Sequence, residues 1–129
     1  MKMLALRQHT FTVHGDLFTV NGERKLNRFA RSTKVKAWRD AAKSVAEHPS
    51  NSGVVPFRHV VIEAEIFQHS GTLGDAGGHA PVVKAVIDGL VDAQVLPDDD
   101  GTYVEKISYY APYRTADKAH IKLTLLEVA

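Results

Sequence analysis

Arg58-His59-Val60-Val61-Ile62-Glu63-Ala64-Glu65-Ile66-Phe67 decides the layering of the fold. Val60, Ile62, Ala64 and Ile66 fall on one side of an extended chain, and His59, Val61, Glu63, Glu65 and Phe67 fall on the other. A strand with one apolar face and one mixed face is half-covered, so its apolar side needs a helical layer. The next residues supply one. Ser70 to His79 is a loop with four glycines, Pro81 suits a first helical turn, and Val83, Val86, Ile87 and Leu90 share one face of a helix reaching about Ala93. Pro97 ends that segment.

Upstream, His9 to Val20 reads as two short strands around a His14-Gly15-Asp16 turn. Asn21 to Lys25 is a polar, basic loop. Ser32 is the expected N-cap of a helix to about Glu47, with Val35, Trp38, Ala42 and Val45 on one face. His48 to Gly53 is a loop. Downstream, Asp98-Asp99-Asp100-Gly101 forms a turn before a strand from Thr102 to about Tyr110. The last strand alternates Ile121, Leu123 and Leu125 with His120, Lys122 and Thr124. The order β-β-α-β-α-β-β predicts an α/β (α+β) two-layer sandwich: one mixed sheet with helices packed on one face.

The 129 residues suit a single domain over 1–129, and 44% hydrophobic content is that of a soluble globular chain. The absence of cysteine excludes disulfides, zinc–thiolate sites and thiol nucleophiles. No apolar run is long enough for a signal peptide or a membrane span, so a cytoplasmic location is expected. The formal net charge of +1 conceals an asymmetry. Residues 1–43 carry ten Lys and Arg against three Asp and Glu, a net +7, and the remainder carries six against twelve, a net −6. A basic third beside an acidic remainder suits a polyanion surface and a separate acidic pocket; solvation of a helix face accounts for it equally well.

Lys84, Ala85, Asp88, Leu90, Asp98 and Asp99 stand at the spacing of a known signature. A helix carrying Lys-Ala-x-x-Asp-x-Leu is followed, after a short hydrophobic loop, by an Asp-Asp pair. In this stretch, Pro81 to Asp99, the chain resembles the RusA-type Holliday junction resolvases, as a divergent, phage-type member. The basic loop, Trp38-Arg39-Asp40 and the strand before the acidic loop extend the resemblance over most of the chain. One element departs from the family. Where its motif has Asp-x-Asp-Asn before x-x-Lys, this chain has Gly78, Ala80 and Pro81, and the only carboxylate in the loop is Asp75. Either the glycines fold the loop back and return Asp75 to that place, or one ligand is lost.

The resemblance implies a magnesium-dependent endonuclease for branched DNA such as four-way junctions, with Mn²⁺ as a possible substitute, acting as a homodimer. Hydrolysis of a phosphodiester needs an activated water and neutralised phosphate charge, and carboxylate-held magnesium provides both. The implied metal ligands are Asp75, Asp98 and Asp99, and the implied catalytic residues are Asp75, Lys84 and Asp99, with Lys84 on the scissile phosphate. Turn chemistry after Pro97 also explains the aspartate run, and an i,i+4 ion pair explains Lys84 with Asp88. Asp88 is read as structural, Asp100 as solvated, Glu63 and Glu65 as a solvent-facing pair, and Trp38 as core. His69 and His79 lack the further spaced ligands of a zinc site, though His79 in place of the lost carboxylate stays open. Arg24, Lys25, Arg28, Arg31, Lys34 and Lys36 form the expected DNA-binding set, with Asn21 and Asn27 as neutral partners. The alternative to a nuclease is a catalytically eroded, non-enzymatic junction-binding protein of the same fold.

Overall fold

The computed structural model describes residues 6–19, 22, 27–51, 53–54 and 56–128. Strands β1 (Arg7–His14), β2 (Val60–Gln68), β3 (Val104–Tyr109), β4 (Tyr113–Arg114) and β5 (His120–Glu127) form one sheet in the order β1-β5-β2-β3, with β4 also paired to β2. β5 runs antiparallel to both β1 and β2, whereas β3 and β4 run parallel to β2, so the sheet is mixed. Helices α1 (Arg28–Glu47) and α2 (Ala80–Asp92) complete the α+β fold.

Register puts one apolar row after another on the same face. Phe11 lies opposite Leu123, which lies opposite Ala64; Val13, Ile121 and Ile66 form the next row. These side chains are buried in one cluster with Trp38 and Ala42 of α1 and Val82, Val83, Val86, Ile87 and Leu90 of α2. Each fully buried branched side chain contributes roughly 1.5–3 kcal/mol. The outer face is mixed, with Thr10 opposite Thr124 and Glu65 opposite Lys122. Among the described residues no helix is long and apolar enough to cross a membrane.

Two local readings change. Residues 15–19 are not in a strand, so the second N-terminal strand expected over Leu17–Val20 is not formed by its described part. Helix α1 begins before Ser32: Asn27 is extended (φ −69°, ψ 164°) and its side-chain oxygen accepts the Ala30 N–H at 2.7 Å. Asn27 therefore serves the helix backbone as its N-cap.

The end of α2 is built from a residue that the sequence does not flag. Gln94 has φ 63°, its N–H donates to Val91 O at 2.9 Å, and the Val95 N–H donates to Leu90 O at 3.0 Å. This is the Schellman arrangement, in which the left-handed position favours glycine, and the buried Leu90 and Val95 supply its apolar contact. Gln94→Gly is expected to stabilise the protein by about 1 kcal/mol, because the Cβ strain at positive φ is removed. Equilibrium urea unfolding measures it; a lower midpoint in the variant contradicts this account of the turn.

Candidate functional site

The site is made by α2 and the acidic turn that returns beside it. Lys84 sits in the helix's second turn, with its ammonium donating to Asp88 Oδ1 at 2.7 Å and to Asp99 Oδ2. One cation thus gathers a carboxylate from its own helix and a second from the turn after Pro97. Partial desolvation opposes the charge on Lys84, but the hydrogen bonds to Asp88 and Asp99 outweigh it and raise its pKa above the ordinary lysine value. The hydrogen bond from Lys84 likewise outweighs desolvation at Asp99 and holds that carboxyl below the ordinary aspartate value. Both groups are therefore charged across the neutral range.

The neighbouring aspartates divide their work. Asp98 Oδ1 accepts the Asp99 N–H at 2.7 Å, which orients the turn. Asp100 is more than solvated, since its Oδ1 accepts the Thr102 N–H at 2.8 Å and its carbonyl accepts the Tyr103 and Val104 N–H groups. Asp75 is exposed in the glycine loop. That loop does reverse: Gly77 has φ 81°, and the Gly78 N–H closes on Asp75 O at 3.0 Å just before α2 begins. The reversal does not gather Asp75, Asp98 and Asp99 into one cluster, because the described residues contain no group of three His, Asp or Glu side chains able to hold a metal. The pair that converges is Asp88 and Asp99. Both are engaged by the Lys84 ammonium; magnesium, which keeps several waters and takes further ligands from substrate phosphate, needs only one or two carboxylates, and Asp99 with the adjacent Asp98 would supply them.

The other candidates separate clearly. Glu63, on the outer sheet face, accepts from the Tyr110 hydroxyl, a partnership that strand periodicity does not announce. Trp38 is buried, with its indole N–H donating to Asp16 O at 2.7 Å. The Arg39 guanidinium donates to both carboxylate oxygens of Asp92 at 2.6 and 2.8 Å, tying α1 to α2. His69 is exposed and His79 is buried.

Of the basic set, Arg28, Arg31, Lys34 and Lys36 lie in the first half of α1. Arg24, Lys25 and Asn21 fall outside the described residues. Lys36 pairs with Asp40 at 2.5 Å. Arg28 and Arg31 are exposed, and neither they nor Lys34 has a carboxylate partner among the described residues. The first turn of α1 contains no acidic residue. Cations at the positive end of a helix dipole oppose helix stability by a few tenths of a kcal/mol each, so this placement favours an anion over the fold itself. Phe29, between them in sequence, is 82% exposed and borders a groove of about 590 Å³ floored in part by Trp38.

No family model matches the sequence, and no curated protein matches it.

Proposed function

We propose that the chain is a structure-selective endonuclease of branched DNA, of the RusA type, using Mg²⁺ or Mn²⁺ and acting in the cytoplasm as a homodimer. The observation that carries this reading is the convergence of Asp88 and Asp99 on Lys84, at the lysine and acidic turn that the resemblance marks. In this reading Asp99 and the adjacent Asp98 would hold the metal, and Asp75, which the glycine loop does not bring into a group with them, is the further ligand that the resemblance implies. The metal supplies charge neutralisation and an acidified water when bound. Lys84 presents a fixed positive charge to a non-bridging phosphate oxygen, and Asp88 keeps that ammonium aimed. Two-fold symmetry puts two such sites on the two strands of a junction.

The DNA surface in this reading is the first half of α1, with Arg28, Arg31, Lys34 and Lys36; Arg24 and Lys25, outside the described residues, belong to the same set by sequence. Such contacts position a backbone without reading its sequence. The decisive experiment incubates a labelled four-way junction with the protein, with and without magnesium. Magnesium-dependent paired nicks support the nuclease. Tight binding without cleavage in magnesium or manganese supports the second reading, a non-enzymatic junction-binding protein of the same fold.

Replacing Arg28 and Arg31 together by alanine is expected to flatten the slope of log affinity against log salt by about 2, roughly 0.9 per lost phosphate contact. Fluorescence anisotropy across a salt series measures it. An unchanged slope moves the DNA surface elsewhere.

A further inference from the structure

The groove of about 590 Å³ beside Phe29 lies between α1 and the chain leaving β1. Its helical wall carries Ala30, Thr33, Lys34 and Ala37, which the helical period puts on one face and three of which are small. His14, Gly15 and Asp16 form the opposite side, and the buried Trp38 lies at the floor. That floor is fixed. The Trp38 indole N–H donates to Asp16 O at 2.7 Å, and a Cβ on Gly15 would stand 2.8 Å from Trp38 Cζ2, so the glycine lets the backbone close on the ring. The volume falls within the range of about 300–1,000 Å³ for small-ligand sites.

Charge divides the groove. Lys34 on the helical wall has no carboxylate partner among the described residues, and neither have Arg28 and Arg31, exposed in the same two turns. Asp16, exposed on the opposite side, forms no ion pair among those residues either. Between them Phe29, 82% exposed, presents a ring that the core does not use. The fitting occupant brings an anion to the α1 side, N–H donors to Asp16 and a flat apolar body to Phe29. A nucleotide has all three, in its phosphate, its Watson–Crick edge and its base face. A second copy of the chain, related by two-fold symmetry across this surface, would set Arg28, Arg31 and Lys34 against the same cations. We propose that this groove receives the base of an unpaired DNA nucleotide, stacked on Phe29, with its phosphate toward Lys34 and its Watson–Crick edge toward Asp16. The inference rests on the DNA reading above and deepens it. In a duplex both base faces are stacked and the edge is paired, so the groove selects single-stranded nucleotides at a branch point, which backbone contacts alone cannot do.

The test compares binding of a short labelled thymidine strand with that of an equal strand of abasic residues. Wild-type protein is expected to bind the base-bearing strand about tenfold more tightly. Phe29→Ala should bring that ratio close to one with affinity for the abasic strand unchanged, and Phe29→Tyr should keep it. Lys34→Ala should weaken both strands alike. Because Phe29 is exposed, its truncation should leave the thermal midpoint in place. In wild-type protein the indole ¹H–¹⁵N resonance of Trp38, the single tryptophan, should move with the base-bearing strand alone, a readout independent of any variant. A wild-type ratio of one, with salt-dependent junction binding intact, overturns the groove and leaves the DNA reading standing. A ratio that survives Phe29→Ala overturns it too, by placing the base elsewhere. Self-association without DNA that Phe29→Ala abolishes puts a second copy in the groove and also overturns it. Failure to bind either strand or the junction removes both readings together.

Discussion

Asp99→Asn is expected to abolish magnesium-dependent junction cleavage while junction binding stays intact or tightens. The amide keeps the shape and an acceptor for Lys84, so the turn stays in place, but the charge that holds a divalent cation is gone. Removing a negative charge near phosphates also reduces repulsion. Stability should change little, because an exposed ion pair is worth about 0–1 kcal/mol and Lys84 keeps Asp88. Single-turnover cleavage and anisotropy on the same preparation separate these effects. Asp75→Asn then reads the glycine loop: equal loss assigns it the further ligand role, and a wild-type rate removes Asp75 from the site. Wild-type rates in both variants make the whole site assignment wrong.

Gly89→Ala is expected to lower stability by about 2 kcal/mol, although alanine is the better helix former by about 1 kcal/mol. A Cβ at residue 89 would overlap the Arg39 carbonyl oxygen and lie 2.7 Å from Ala42 Cβ and 3.1 Å from the Lys43 nitrogen. These are backbone and Cβ atoms of α1, which no rotamer change can move aside, so the helices must separate. Separation also pulls apart the Arg39–Asp92 pair across the same contact. Denaturant unfolding should place Gly101→Ala within about 0.5 kcal/mol of wild type, since a Cβ there meets nothing. A neutral Gly89→Ala means that the helices do not approach this closely in solution.

Local periodicity carried much of the fold into the sequence. The alternation at Val60–Ile66 and Ile121–Leu125 names the buried sheet face, and the apolar spacing from Val83 to Leu90 names the buried face of α2, because each pattern reflects the geometry of a single element. The aspartate run and Lys84 were likewise visible as a candidate pair at signature spacing. Tertiary structure decided what depends on distant neighbours. It placed β5 between β1 and β2, gave Asn27 rather than Ser32 the capping role, and set Gly89 directly against the backbone of α1. It also joined Asp99 with Asp88 on one ammonium without gathering Asp75 into a metal-binding group with them. A residue's face follows from its own helix or strand, whereas its partner is whichever atom the packed chain brings within a few ångströms.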